Sequence, residues 1–423
     1  MTSVRHRPAA DLAPIGNPCL LCSSPATEEV VTLRPTPPAN ALAETVEQAR
    51  RAATYPLRLV RCAGCGHVQL ADRVDRDLLF RDYRYATGAA PGLVQHFTTL
   101  AHTLIERHRL PAGATVVEIG SNDGTLLRVF ADRGMRVCGI DPAVDLARQA
   151  TESGVPTYAT HFDESVAEKI LAERGHADLV LANNVLAHVG DLNAALAGVR
   201  KLLAPTSYGV FEAAHLLPMV VDGMYEFIYH EHMSYFSLYA MRTAVNRHGM
   251  EIVDVERIPT QGGSIRCWVR PRDAVRPNDI APSVRRLLAE EDDAGLTDGS
   301  LVREFGQRIA RVSRGLHDVV AGLRASGRRI CGYGASARAV TLMAQADVDD
   351  AIDWIVDDNP RKTGLFIPGS GIPVLAPAEL RAGTADYCVL FAWNFGSDIM
   401  AKTADFARAG GMFIIPFPVM TVR

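Results

Sequence analysis

The sequence predicts an α/β protein in which a small N-terminal lobe precedes two Rossmann-like units. Two pairs of closely spaced cysteines mark the lobe, and each unit shows a strand-like apolar run, a glycine-containing turn and a helix in succession. A chain of 423 residues is long enough for two or three domains of ordinary size. We place the domain boundaries at residues 1–75, 76–280 and 281–423.

The composition indicates a globular, cytoplasmic protein. Hydrophobic residues make up 48% of the chain and charged residues 22%, which is enough for well-filled cores. The formal net charge of -4 argues against nucleic-acid binding, which usually requires a basic face. The sequence has no apolar run near the roughly 20 residues of a membrane helix, and its first residues lack the apolar core of a signal peptide. We therefore expect a small-molecule partner, no nucleic acid, no membrane, and a monomer or small homo-oligomer.

The N-terminal lobe carries two C-x-x-C turns, each of which aims two thiolates at one point. Together they offer the tetrahedral sulfur shell that zinc prefers. A redox pair would need a βαβ context, and neither turn has one. Four thiolates leave no open position, so the predicted role of the zinc is structural. The predicted ligands are Cys19, Cys22, Cys62 and Cys65.

The central unit begins at residues 115–130, where a buried strand, a sharp turn and a helix follow one another. Glycine suits a turn that bends tightly and approaches a ligand closely. A second strand ends in Asp141, the position from which an acid accepts ribose hydroxyls in nucleotide-binding folds. The residues predicted to bind a cofactor are Glu118, Gly120, Ser121, Asn122, Asp123, Gly124, Asp141 and Asn183.

The identity of that cofactor follows from the middle of the turn. A dinucleotide needs glycine there so that the backbone can approach the pyrophosphate, whereas this chain has Asn122. S-adenosylmethionine (SAM) has no phosphate, and its aminoacyl group suits polar partners. The turn therefore favours SAM.

Residues 225–237 bring phenols, imidazoles and a carboxylate close together in sequence. A strand would place Tyr229 and Glu231 on one side and His230 and His232 on the other, and a turn would mix them. The spacing is not that of the H-E-x-x-H zinc motif, and a solvated aromatic interface is the other alternative. These residue types suit carbon methylation beside a ketone. That reaction needs a base to remove an α-proton and donors to stabilise the enolate oxygen. Histidine suits the base, and Glu231 is expected to orient it.

The motifs together resemble the sugar C-methyltransferases of antibiotic deoxysugar pathways. The matching segments are the two C-x-x-C turns with 66-GHVQ-69, then 118-EIGSNDGTLL-127, 182-ANNVLAHV-189, 228-IYHEHMSYFS-237, 261-QGGSIR-266 and 332-GYGASARA-339. The resemblance implies transfer of the SAM methyl group to carbon 3 of a thymidine-diphosphate (dTDP)-linked 4-keto sugar, with the zinc remote from the chemistry. Family members often have histidine where this chain has Gln261.

The same resemblance implies roles for individual residues. His232 resembles the base that removes the carbon-3 proton, with Glu231 beside it. Tyr229 and Tyr83 resemble the tyrosines around the substrate, and Tyr85 is a near-equal candidate to Tyr83. The remaining catalytic candidate, His188, resembles a histidine near the keto group, although a core or helix-start histidine is an equal interpretation.

The C-terminal unit contains a second glycine turn at 332-GYGASA-337, which by itself matches a dinucleotide pattern with Asp357 downstream. Serine and arginine at the start of the following helix suit a diphosphate equally well. The resemblance implies that this unit holds the diphosphate of the sugar nucleotide. The predicted substrate-binding residues are Gly263, Ser264, Arg266, Ser336, Arg338 and Lys362.

Three other functions remain open from sequence alone. An O- or N-methyltransferase needs the same donor and only a base. The C-terminal turn would suit an NAD-dependent enzyme, and the cysteine turns alone would suit a zinc-ribbon interaction protein.

Overall fold

The computed structural model describes residues 18–80, 86–89 and 91–423, and both Tyr83 and Tyr85 lie outside them. The described chain forms three sheets with helices packed around them, which confirms the predicted α/β fold. Among these residues, no helix has the length and apolar character needed to cross a lipid bilayer.

The N-terminal lobe is an antiparallel sheet whose strands come from short apolar runs. The strands β2 and β3 flank the second cysteine turn, and Gly66 closes that turn with a φ of 72°. The elements are β1 (Thr27–Thr36), α1 (Val46–Arg50), β2 (Tyr55–Cys62), β3 (Val68–Leu70) and α2 (Arg76–Phe80).

The central unit alternates strands and helices, as its sequence pattern predicts. Its elements are α3 (Pro91–His108), β4 (Thr115–Ile119), α4 (Thr125–Ala131), β5 (Arg136–Ile140), α5 (Val144–Glu152), β6 (Thr157–Tyr158), α6 (Glu164–Arg174), β7 (Ala177–Asn183), α7 (Leu192–Leu202), β8 (Leu203–Ala214), α8 (Leu216–Val221), β9 (Ser234–Tyr235), α9 (Leu238–Arg247), β10 (Met250–Ile258) and β11 (Ser264–Pro271). The sheet order is β10-β11-β8-β7-β4-β5-β6. The strands β4 to β8 in this sheet are parallel, so their carboxyl ends meet at one edge, and the order reverses between β4 and β7.

The C-terminal unit repeats this plan on a smaller scale. Its elements are α10 (Pro282–Asp293), α11 (Ser300–Ala325), β12 (Ile330–Tyr333), α12 (Ala337–Ala346), β13 (Ile355–Val356), β14 (Val374–Leu375), β15 (Tyr387–Leu390), α13 (Gly396–Lys402), α14 (Ala404–Arg408), β16 (Met412–Ile415) and β17 (Thr421–Val422). The order is β14-β13-β12-β15-β16-β17, with β17 antiparallel and a reversal between β12 and β15.

The long helix α11 ties the lobes together. The mixed charges of its sequence suggest one solvated helix face. Another face is apolar and packs with residues of β2, α8 and α12 in a shared core. Phe305 and Ile309, spaced four residues apart, belong to that face. A side chain at Gly306 would overlap the carbonyl oxygen of Val30 in β1, so the close approach requires glycine.

The strand β9 belongs in sequence to the central unit and in space to the first sheet. The order of that sheet is β1-β2-β3-β9, with Val68 opposite Tyr235. Two further contacts extend the pairing: the N–H of Leu70 donates to the carbonyl of Met233 at 3.0 Å, and His67 Nε2 lies 3.1 Å from Ser234 Oγ. The segment before β9 is therefore attached to the cysteine-bearing lobe.

Candidate active site

A cavity of about 660 Å³ lies where the three lobes meet. Asn40 lines it from the first lobe, the carboxyl ends of β4, β5 and β7 from the second, and the loops after β12 and β15 from the third. The predicted residues found in its wall are Glu118, Gly120, Ser121, Asn122, Asp141, Asn183, His188, Tyr229, His232, Ser336, Arg338 and Lys362. The other described candidates lie outside the wall, namely Asp123, Gly124, Glu231, Gly263, Ser264 and Arg266.

The turn after β4 has the strained backbone that its sequence predicts. Gly120, Asn122 and Gly124 have φ values of 70°, 51° and 76°. Asp141 fixes the turn from β5, since its Oδ2 accepts from the N–H of Asn122 at 2.8 Å. Asp123 faces the other way and accepts from the N–H of Gly88 at 2.8 Å. Asp123 and Gly124 therefore shape the turn, while its other residues form the wall.

Polar atoms in this wall lack partners among the described residues. They are Glu118 Oε2, Ser121 Oγ and Asn183 Oδ1, all buried. Burial raises the pKa of Glu118 to about 8. Buried polar groups are normally hydrogen-bonded, so such atoms indicate a ligand rich in donors. The ribose hydroxyls and amino group of SAM fit this requirement, whereas a pyrophosphate has no donors to offer these atoms.

Replacement of Gly120 by alanine is expected to weaken SAM binding about tenfold or more, because strain and overpacking each cost about 1–3 kcal/mol. The new Cβ would lie 2.6 Å from Val185 Cγ2 and would sit at a φ of +70°. Calorimetric titration with SAM measures the effect. Gly113→Ala is the matched control, because its φ is +83° and nothing lies within 4 Å of the added Cβ. Equal SAM affinity in the Gly120 variant and the wild type would contradict the assignment.

His232 also lies in the cavity wall, with both ring nitrogens engaged. Nδ1 is 3.1 Å from the carbonyl oxygen of Phe227, and Nε2 is 2.7 Å from the Tyr229 hydroxyl. A carbonyl oxygen only accepts, so Nδ1 carries the proton and Nε2 accepts from the phenol. Burial, assisted by His188 and Arg338, lowers the pKa of His232 well below 6.5. The imidazole is therefore neutral and available as a base.

His188 stands edge-on to the imidazole of His232. It ends the short 3₁₀ segment Leu186–His188 after β7, and its ring centroid is 5.0 Å from that of His232. Burial lowers the pKa of His188 to about 4, so it too is neutral. The structure thus brings together three of the predicted groups: His188, His232 and Tyr229.

Glu231 does not take the orienting position that we expected for it. Both of its carboxylate oxygens accept from Asn40 Nδ2, at 2.7 and 2.8 Å. The residues before β9 form a turn rather than a strand, closed by the N–H of His232 on the carbonyl of Tyr229 at 2.9 Å. The turn separates the neighbouring side chains, and the Phe227 carbonyl fixes the tautomer of His232 instead.

Two lobes hold the loop that carries His232, residues 228–235, in place. The pairing of β3 with β9 fixes its end, and Thr341 in α12 donates to the carbonyl of Ile228 at 2.9 Å near its start. The position of His232 therefore depends on contacts from both the first and the third lobe.

The start of α12 is the cationic part of the wall. Arg338 is 9% exposed, its Nη2 donates to Asn394 Oδ1 at 2.6 Å, and its Nη1 has no partner among the described residues. Ser336 Oγ at the N-cap is likewise buried and unpartnered there. Lys362 Nζ contacts Asp357 Oδ2 at 3.1 Å. A helix N-terminus with an arginine and a lysine suits an anion such as a diphosphate.

Arg266 is not part of that cationic region. Its Nη2 donates to Glu212 Oε2 at 2.9 Å, and Nη1 contacts Glu256. Both partners lie on strands next to β11. The Arg266 guanidinium therefore bonds to neighbouring strands of its own sheet and not to the cavity wall. Gly263 lies in the turn before β11 and Ser264 begins that strand, whereas Gln261 lies in the wall at a φ of 58°.

Several wall residues were missed by the sequence analysis. One of them is His96 on α3, which lies in no motif. Its Nε2 is 3.2 Å from Oε1 of Glu212, a residue behind the wall that also lies in no motif. Asn40 lies in a segment without regular structure. The sequence Trp393-Asn394-Phe395 could have been recognised as a candidate ligand-binding loop, because polar and aromatic residues follow closely after the buried strand β15.

The four N-terminal cysteines lie apart from this cavity and converge on one point. Their sulfur atoms are all within 4.8 Å of one another, with Cys19 and Cys65 at 3.6 Å and Cys22 and Cys62 at 3.5 Å. A tetrahedral zinc site with Zn–S bonds of about 2.3 Å requires sulfur separations of about 3.8 Å. The sulfur arrangement fits zinc, and none of the described cavity wall belongs to it.

Three domain families match successive parts of the chain. A putative zinc binding domain matches residues 19–80, a methyltransferase domain residues 93–255, and a C-methyltransferase C-terminal domain residues 259–418. Their order is the order of the three lobes.

Individual proteins are also similar to the chain. C-methyltransferase NovU of Streptomyces niveus is 35% identical over 401 residues, which cover 95% of both chains. The ubiquinone biosynthesis O-methyltransferase of Methylobacterium sp. (strain 4-46) is 38% identical over 85 residues, 19% of this chain and 33% of its own. The solved structure of magnesium protoporphyrin IX methyltransferase from Synechocystis PCC 6803 with bound SAM aligns with a TM-score of 0.31 and 18% identity, over 42% of this chain and 79% of that chain.

Proposed function

Because the chain belongs to the zinc-containing, SAM-dependent C-methyltransferase family, we propose that it methylates carbon 3 of a dTDP-linked 4-keto-deoxysugar on the way to an antibiotic. SAM is its methyl donor and zinc its structural metal. The product is a branched sugar nucleotide, and we expect the reaction to take place in the cytoplasm.

The observation that carries the proposal is the neutral His232–Tyr229 pair in the cavity that also holds the SAM turn. Oxygen or nitrogen methylation needs at most a base near a heteroatom. Carbon methylation needs a base and a donor to an enolate oxygen at neighbouring positions. A neutral imidazole in contact with a phenol supplies both.

The proposed chemistry begins when the keto-sugar enters. SAM, when bound, supplies an electrophilic methyl group to the activated carbon. The Tyr229 hydroxyl transfers its hydrogen bond from His232 to the keto oxygen, which frees Nε2. Nε2 takes the proton from carbon 3, and the electron pair of the C–H bond forms the enolate. The ring centroid of His188 is 5.0 Å from that of His232, so His188 lies beside the proposed base. Carbon 3 then forms its bond to the methyl group as the carbon–sulfur bond to that methyl group breaks. The electron pair of that bond stays on sulfur, S-adenosylhomocysteine leaves, and the proton on His232 passes to solvent.

The test is mass spectrometry of a reaction in deuterated water with purified protein, SAM and a dTDP-4-keto-6-deoxysugar. A product that is one methyl group heavier, with solvent deuterium entering at carbon 3 when SAM is left out, supports the proposal. Methyl transfer without deuterium entry would favour an O- or N-methyltransferase, the alternative that shares the donor site. No transfer to amino or hydroxyl sugars would contradict the sugar assignment.

Replacement of Arg338 by alanine is expected to raise the KM for the sugar nucleotide roughly 10- to 100-fold, because a hydrogen bond to a charged group contributes about 1.5–3 kcal/mol. The SAM affinity should change little, since Arg338 belongs to the third lobe and the SAM turn to the second. Steady-state kinetics with each substrate varied in turn separates the two effects. Arg338→Lys keeps the charge but loses the two-pronged geometry, and an intermediate KM is expected. An unchanged KM in both variants would exclude a diphosphate at this helix.

A further inference from the structure

We propose that Phe395 forms the stacking surface of a nucleobase subsite beside the diphosphate site. The proposal rests on the proposed function, because it adds the base to a substrate whose diphosphate lies at α12. It concerns a nucleoside diphosphate as a class and assigns a residue that the sequence analysis did not single out.

The first observation is that Phe395 is at once a residue of the cavity wall and an exposed aromatic side chain. Phe395 lines the cavity and is 52% exposed, whereas most large apolar side chains of the chain are buried. An aromatic face left open toward a cavity gains free energy when a flat ligand covers it. The ring is therefore placed for stacking rather than for packing in the core.

The second observation is that its neighbours fix the loop firmly. Trp393 Nε1 donates to Glu226 Oε1 at 2.9 Å, and Glu226 is fully buried. Asn394 Oδ1 accepts from Arg338, and the N–H of Phe395 itself donates to the carbonyl of Ala392 at 2.9 Å. The loop is thus pre-organised, so a ligand that stacks on Phe395 pays little to order it.

The third observation is the position in the sheet. The loop follows β15, and Arg338 follows β12, the adjacent parallel strand. The strand order reverses between these two strands, which is the crevice where open α/β sheets bind nucleotides. A diphosphate at the start of α12 places the attached nucleoside within this crevice, and Asn394 links the two parts by its contact with Arg338.

The experiment compares two ligands that differ only in the base: dTDP and its abasic counterpart, 2-deoxyribose 5-diphosphate. Calorimetry is run on the full chain. Phe395→Ala should weaken dTDP binding about 5- to 100-fold, the range for loss of one base–aromatic stack. Affinity for the abasic ligand should stay within about twofold. Phe395→Tyr keeps the ring and should bind dTDP nearly as the wild type does.

Two controls keep the outcome clear. Arg338→Ala should weaken both ligands, because both carry the diphosphate. Thermal melting checks folding, and because Phe395 is half exposed, its alanine variant should melt as the wild type does. Equal effects of Phe395→Ala on both ligands, or wild-type protein that binds dTDP no better than the abasic ligand, would overturn the subsite. These binding results do not depend on methyl transfer, so failure of the proposed reaction remains distinguishable.

Discussion

The His232→Ala variant should lose methyl transfer by about 10²- to 10⁴-fold in kcat, the usual contribution of a general base. Nε2 is the atom that we propose takes the carbon-3 proton, and the variant offers no other group there. Solvent deuterium should also no longer enter carbon 3. Formation of S-adenosylhomocysteine and mass spectrometry of the sugar measure the two effects. SAM affinity should be retained, which serves as the folding control.

Tyr229→Phe is the matched comparison for this prediction. It removes only the hydroxyl that donates to Nε2 at 2.7 Å, so the base stays and the enolate donor is lost. A smaller loss of kcat with deuterium exchange still detectable is expected. Persistent exchange in the His232 variant would refute its role as the base. Because burial lowers the pKa of His232 below 6.5, the acid limb of kcat/KM should lie below the ordinary histidine value.

Loss of zinc should have the other large effect, on stability and activity together. Zinc binding contributes on the order of 10 kcal/mol in small zinc domains, comparable with the total stability of a protein. Cys62→Ser should therefore release zinc, unfold the first sheet, and reduce methyl transfer through the loss of β9 pairing. Metal analysis, thermal melting and kcat are the measurements.

Cys388→Ala is the control for the cysteine variant. Cys388 is a fully buried thiol in the third sheet, far in sequence from the zinc ligands. It should keep the zinc and most of the activity. Full activity in zinc-free protein would show that the position of the His232 loop does not depend on the folded N-terminal lobe.

Local features of the chain were predictable from sequence, and long-range contacts were not. The turn at Gly120–Gly124 follows from residue types that tolerate positive φ, and the four cysteines follow from their spacing. The contact of Asn40 with Glu231 joins residues 191 positions apart, and that of Trp393 with Glu226 spans 167 positions. Such contacts depend on how the lobes pack, which no local pattern encodes.

The predicted role of Glu231 illustrates the limit of inferring contacts from adjacency in sequence. Its sequence neighbour is the base, and adjacency suggested a hydrogen bond between them. The turn at residues 229–232 placed the Phe227 carbonyl at His232 instead, because a four-residue backbone reversal redirects each side chain. Which residues contact the substrate, including Tyr83, stays a prediction for mutagenesis.

The pairing of β3 with β9 limits how this protein can be recombined with its relatives. A chimaera that takes the cysteine lobe from one parent and the remainder from another would join a foreign β3 to a native β9 beside His232. Exchange of residues 60–70 together with residues 228–237 keeps both partners of the ladder from one parent. We expect libraries built on that paired crossover to yield active hybrids more often than those cut at the lobe boundary alone.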